Sequence, residues 1–428
     1  MRKRSLAAAG DRAGRPVPER AARPRAAAAP GTTAGVVRRT VRALDDATPV
    51  HRDRAVDALR ACAILGVVLG HWLVTALVAD GGTLRTASPL AHMTWLAPVS
   101  WAFQTLAVFF MVGGHVATRS HASARARGDG YTTWLRGRLS RLFGPVAALL
   151  ALWTAAALCL LLGGASFVTV HTLVKLALSP LWFLLVYAAL TAATPWLARV
   201  NPLWPLAVVL HVDLVRFGLG GPSWLGWVNL AAGWLVPYGL GAAWTRGELE
   251  RPRAGGVLFT GGAVATAALV AWAGYPASMV GVPGETVSNL DPPTLAAVTF
   301  GVAQCGAALL LRDRLRAAMR RPLAWAAVAL VNLSAMTVFL WHQTALMATT
   351  ATGLVAGRLP GLHTVPDGLD WVAARLLWLP VFAAVLAVCW TAFHSYERAA
   401  GGSGGRGSRV VRVHHRSGRT EAEAARDA

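Results

Sequence analysis

The chain has 428 residues, of which 55% are hydrophobic and only 14% charged. A soluble chain of this length carries about 25% charge, so the composition excludes an ordinary soluble enzyme and indicates a polytopic membrane protein. The formal net charge is +21, but the excess lies in the tails and in alternate loops, which excludes nucleic acid and leaves the lipid bilayer as the partner.

In chain order, residues 1–53 are rich in Arg, Ala, Pro and Gly and have no apolar period, which predicts a disordered basic tail. Ten apolar runs follow: Val56–Val78, Ala97–Thr118, Gly144–Leu162, Ser179–Leu197, Leu203–Leu219, Trp224–Trp244, Gly255–Tyr275, Thr294–Leu311, Ala324–Thr349 and Trp371–Phe393. Most are long enough to cross a ~30 Å hydrocarbon core as helices. The fifth is short and carries His211, Asp213 and Arg216 near its end. Trp95, Trp101, Trp182, Trp224, Trp244 and Trp371 stand near span ends, as an aromatic belt does. Residues 396–428 form a second basic tail. The reading is an all-α fold with about ten transmembrane helices in one bundle over residues 54–395.

Loop charge orients the bundle. With the N-terminal tail in the cytoplasm, loops 119–143, 198–202, 245–254 and 312–322 are internal and hold 15 arginines. The opposite loops hold only Arg85, Lys175 and Arg358. This asymmetry predicts both termini in the cytoplasm, on a multi-pass protein of the cell membrane. Cys62, Cys159, Cys305 and Cys389 all fall in apolar runs without metal-ligand spacing, so they read as small buried apolar residues and no metal is expected.

Few polar groups interrupt the apolar runs. Arg60 and His71 are 11 residues apart in the first run, which places them ~20° apart around a helix and ~16 Å apart along it. An ionisable group at that depth marks function, and a neutral imidazole suits general-base work. Arg138 and Arg141 share a helical face just before the third run, and their guanidinium forks match phosphate oxygens. His115, beside Gly113 and Gly114, serves helix packing as readily as chemistry. His342 falls in the outer half of the ninth run, where it can meet an acceptor or pack by a hydrogen bond. The turn Ser288–Ala296 reads as a helix start through Pro292, Pro293 and Thr294. No Walker loop and no HExxH occurs, and GxGxxG and GxSxG occur only within the glycine-rich basic tail at 401–407, which argues against an ATPase, a nucleotide oxidoreductase and a zinc protease.

These residues form a recognisable pattern: Asp57-x-x-Arg60 with ten residues between Arg60 and His71, Phe109-Phe110 with the glycine pair, Arg138-x-x-Arg141 leading to Pro145, Leu181-Trp182-Phe183, the Asn289–Thr294 turn, and Phe339-Leu340-Trp341-His342. The pattern resembles the acyltransferase-3 family of integral membrane acyltransferases, which includes the O-antigen and other cell-envelope O-acetylases. The resemblance covers about residues 54 to 395. It implies a ten-helix domain that takes an acyl group, acetyl above all, from cytoplasmic acyl-CoA and places it on a carbohydrate or lipid-linked envelope acceptor. It also implies that His71 is catalytic and that Arg60, Arg138 and Arg141 face the CoA. His115 stands where the family often has an apolar or aromatic residue. His342 is then read as an acceptor-binding residue. The competing reading is a membrane transporter with His71 and His342 on a proton or substrate path, for which broken helices or an internal repeat would be the sign.

Overall fold

Most apolar runs became helices, and the departures from the runs shape the site. The computed structural model describes residues 33–49 and 52–402, so the expected tails before 33 and after 402 lie outside the described residues. The N-terminal helices are α1 (Thr33–Asp46), α2 (Arg54–Val74), α3 (Leu106–Ala126) and α4 (Tyr131–Leu162). Next come α5 (Phe167–Leu178), α6 (Leu181–Ala192), α7 (Leu203–Asp213), α8 (Gly226–Thr245) and α9 (Ala254–Trp272). The last four are α10 (Leu295–Ala318), α11 (Pro322–Leu333), α12 (Ala335–Gly353) and α13 (Leu369–Gly402). Helix α1 forms within the stretch read as an irregular tail, and it packs on α11.

By length and composition, six stretches among the described residues can cross a membrane: α2, α4, the α5–α6 stretch, α9, α10 and α13 up to Ser395. The pair α11 and α12 makes a seventh if counted as one bent span. Helices α3, α8 and α12 are of spanning length, 21, 20 and 19 residues, but are more polar or more buried in the protein. Fourteen of the 20 residues of α8 are buried, so its surroundings are mostly protein.

Three runs differ from their sequence reading. The first run stops as a helix at Val74, and Ala76–Asp80 (β1) pairs antiparallel with Thr83–Ala87 (β2). Gly81 and Gly82 turn this hairpin at φ 51° and 77°, a backbone region that favours glycine. The second run does not become helical throughout; its spanning helix begins only at Leu106. The ninth run breaks at Ser334, and α11 and α12 meet at 75°. Ser334 is a C-cap for α11, and its hydroxyl accepts a hydrogen bond from Trp390 Nε1 at 2.7 Å. Asn332, two residues earlier, donates to the Asp57 carbonyl of α2 at 2.8 Å, so polar partners on α2 and α13 hold the bend and the end of α11.

Close helix approach builds the centre. A Cβ on Gly241 of α8 would stand 1.9 Å from the Met111 carbonyl of α3, and one on Gly114 would stand 2.1 Å from the Tyr238 carbonyl. His115 belongs to this seam: it stacks on Trp244 at 4.2 Å and its Nδ1 pairs with Thr245 Oγ1 at 3.0 Å. Of the cysteines, only Cys305 is buried; Cys389 is half-buried, and Cys62 and Cys159 are exposed on apolar helix surfaces, contrary to their reading as buried residues. Trp95 and Trp224 are exposed as belt residues are, whereas Trp244 and Trp371 are buried under Arg312 and Arg375. Thr294 caps α10 as the turn predicts, and Asn289 anchors that turn through three hydrogen bonds. Buried Asp213, at the end of α7, accepts from Asn229, Tyr275 and the Leu295 backbone and ties three more elements together.

Candidate active site

Helix α2 carries the site because of where it is pinned. At its start, Asp53 accepts from Ala55 N and forms ion pairs with Arg316 at 2.8 Å and Arg312 at 3.1 Å. Burial pushes the Asp53 carboxyl up, but the hydrogen bonds from Arg316 and Arg312 outweigh it and bring it down to about 2. At the other end, Arg375 of α13 is fully buried. Its guanidinium donates to the carbonyls of Trp72 (2.6 Å), Gly361 (2.8 Å) and Thr75. A helix C-terminus leaves carbonyls unpaired and partially negative, and the Arg375 cation answers both needs.

Between these pins, one face of α2 presents Arg60, Ile64, Val67, His71 and Val74, at the 3–4 spacing of a single stripe. The stripe borders two cavities. The first, about 320 Å³, is lined by Arg60 and Ile64 with Arg138, Arg141, Tyr187, Asn332 and others. The second, about 280 Å³, is lined by Val67, His71 and Val74 with Thr86 and Ser88 of the hairpin region, Gln104, Trp182 and others. Phe183 and Phe339 line both. Arg60 and His71 thus share a face as their spacing predicts, but they open on different chambers.

The three arginines converge without a counter-ion. Arg138 donates to the Val116 carbonyl at 3.2 Å and Arg141 to the Gly137 carbonyl at 2.8 Å. Neither they nor Arg60 has a carboxylate partner among the described residues, although Asp53, Asp57 and Glu250 all engage other arginines. Asp57, the acid of the first motif, pairs with Arg52 at 2.6 Å. Guanidinium groups gathered at a cavity without carboxylates are the donors that charge-assisted hydrogen bonds to an anion require.

At the other chamber, the Gln343 amide nitrogen donates to His71 Nδ1 at 3.0 Å. His342 lies beside His71, with ring centroids 5.1 Å apart. It is fully buried and lines neither cavity. Its Nδ1 donates to the Phe339 carbonyl at 2.6 Å, which leaves Nε2 as a buried lone pair with no partner among the described residues. Trp72 Nε1 donates to the His342 carbonyl at 2.9 Å and joins the two histidine-bearing helices.

Gln343 and Arg375 are absent from the sequence reading, which also gave no role to Phe183 and Phe339 although both stand in its motifs. The signal for the first two was available. Each is a polar group inside an apolar run, the same criterion that singled out His71. No group of His, Cys, Asp and Glu suited to a metal ion occurs among the described residues.

No curated protein and no solved structure matches the chain. A family model described as an acyltransferase domain matches residues 53–394, which take in α2 through α13 up to the end of its apolar part and every residue of both chambers. The chain belongs to the acyltransferase-3 family, and it is a multi-pass membrane acyltransferase.

Proposed function

We propose that the protein transfers an acyl group, acetyl above all, from cytoplasmic acyl-CoA to a hydroxyl of a carbohydrate or other cell-envelope acceptor. The observation that carries this reading is the stacking of two chambers along one face of α2, one lined by three arginines without counter-ions and the next by His71. CoA has its phosphates at one end and its thioester at the end of a long flexible arm. Arg60, Arg138 and Arg141 hold the phosphates, and the arm carries the thioester toward His71, a rise of ~16 Å along the helix. The arginine chamber faces the cytoplasm, because the arginine-rich loops gather at that end. The His71 chamber offers Thr86, Ser88, Ser100 and Gln104 as uncharged polar groups and Trp182 as an aromatic face, a lining suited to a sugar.

His71 takes the proton from the acceptor hydroxyl as that oxygen attacks the thioester carbonyl. The tetrahedral intermediate collapses with cleavage of the C–S bond, and the imidazolium returns the proton to the CoA thiolate. With Nδ1 paired to Gln343, the nitrogen left for this work is Nε2, and it must carry the lone pair. Nδ1 must then carry the proton and donate it to Gln343. A half-turn of the Gln343 amide puts its oxygen, which is buried and unpaired in the arrangement observed, in that position. His342 buttresses the His71 ring.

The test is release of CoA thiol from acetyl-CoA by the purified full chain together with binding of acetyl-CoA to it. Substitution of Arg60 or Arg141 by Ala should weaken acetyl-CoA binding by about tenfold or more, since charge-assisted hydrogen bonds contribute roughly 1.5–3 kcal/mol. Unchanged affinity in both variants would refute the phosphate assignment.

A further inference from the structure

Among the described residues, the two chambers share only Phe183 and Phe339 as lining residues. Phe183 projects from α6 and Phe339 from α12, and their ring centroids are 5.3 Å apart at 51°. That is ring-to-ring contact, with no room for water between the faces. Both rings are buried, at 4% and 7% of their full exposure. Phe183 is further held edge-on by Phe109 at 5.1 Å and by Phe110 at 5.0 Å, and Tyr187 stacks on it at 6.3 Å. Phe339 stands one turn from His342, and its carbonyl is the acceptor for His342 Nδ1. The side chains common to both chambers are therefore two aromatic rings: one fixed in a cluster, the other on the helix that carries His342 and Gln343.

We propose that Phe183 and Phe339 form an aromatic partition that admits an acyl group by its cross-section and keeps water off the thioester. This rests on the reading that the arginine chamber binds acyl-CoA. An acyl group bound from that chamber reaches His71 only by passing between the two rings. A linear chain is slim at every carbon and needs one rotamer shift of Phe339. A branched or aryl acyl group is wider at its first carbon and is stopped there. The same contact closes the arginine chamber to water from the His71 side. Water attacking the thioester would yield a free carboxylic acid and CoA thiol, a loss of donor that the partition suppresses.

The experiment compares the wild-type chain with Phe339→Ala, Phe339→Leu and Phe183→Leu, each purified in lipid nanodiscs. Acetyl-CoA, isobutanoyl-CoA and benzoyl-CoA are the probes, CoA-thiol release without acceptor is the rate, and acetyl-CoA affinity is measured in parallel. Removing ring volume should raise the rate on isobutanoyl- and benzoyl-CoA relative to acetyl-CoA by roughly tenfold or more, the scale on which a pocket discriminates bulk. It should also raise acceptor-free release per bound acetyl-CoA, and Phe339→Leu should fall between wild type and Phe339→Ala. A merely structural role lowers all three rates together and leaves their ratios alone. Unaltered ratios in variants that bind acetyl-CoA normally overturn the partition. A wild-type chain that binds none of the three thioesters instead removes the donor reading on which the partition rests.

Discussion

At the residue scale, the site is a set of polar groups whose partners decide their roles. His71 was legible because an imidazole deep in an apolar run has few reasons to be there, and its spacing from Arg60 set both on one face. Sequence could not show that Gln343 holds its Nδ1, because the two lie 272 positions apart and only the fold brings them to 3.0 Å. Nor could it show that His342 packs beside the His71 ring: a helical position fixes a face and a depth, but not what packs against it. If Gln343 sets the tautomer of His71, Gln343→Leu should lower kcat by about 10² or more while KM for acetyl-CoA holds, within the range of general-base help. Gln343→Glu keeps an oxygen acceptor for Nδ1–H and should recover much of that loss. Equal loss in both variants would show that acceptance from Nδ1 is not what Gln343 supplies. Replacing Arg138 or Arg141 by Lys should restore only part of the CoA affinity that Ala removes, because the planar fork is gone.

At the element scale, α2 is fixed at both ends by charge. Arg375→Met would leave the carbonyls of Trp72, Gly361 and Thr75 without this donor, at roughly 1–3 kcal/mol for each buried unsatisfied group. The expected result is a fall of several degrees in melting temperature together with loss of turnover, as the end of α2 that bears His71 loosens. At the start of α2, Asp53 has a folded value of about 2 against an ordinary 3.8, so its bridges to Arg312 and Arg316 contribute fully above about pH 4 and fade as pH falls toward 2. Asp53→Asn should therefore melt lower than wild type near neutral pH, and the gap should close on acidification, as read by thermal melts across that range. The seam of α3 and α8 is equally specific. Gly241→Ala forces a Cβ against the Met111 carbonyl and should cost about 1–3 kcal/mol as overpacking does. The hairpin after α2 was legible in Asp80-Gly81-Gly82-Thr83, a turn signal that an apolar run through Val78 obscured. The bend at Ser334 was not legible, because it depends on Trp390 and on the Asp57 carbonyl, partners supplied by distant elements.

At the scale of the whole molecule, loop ends sort to two sides. Asp53 meets Arg312 and Arg316, Glu250 meets Arg312, and Arg246 reaches the Ala198 carbonyl, so the arginine-rich loops share one side. The hairpin meets His363 and Thr169, and Trp101 meets Ala277, on the other. Among the described residues, length and composition pick out six or seven crossings, and α8, buried in the protein, is not one of them. With ten crossings and cytoplasmic termini, reporter fusions after residues 90 and 360 should report outside and one after 320 inside; an outside signal at 320 would break the topology. The broken pair α11–α12 is the feature a transporter would show, but here it forms part of the wall of the arginine chamber through Asn332, Leu333, Ala335 and Met336.

The central claim is that His71 performs the proton transfer at the end of a chamber that binds acyl-CoA separately. Turnover of acetyl-CoA by His71→Gln, measured beside its acetyl-CoA affinity, tests this most directly. Normal affinity is expected, with turnover reduced by about 10²–10⁴, the contribution of a positioned general base. A His71→Gln chain that folds, binds acetyl-CoA and acylates at the wild-type rate would contradict it.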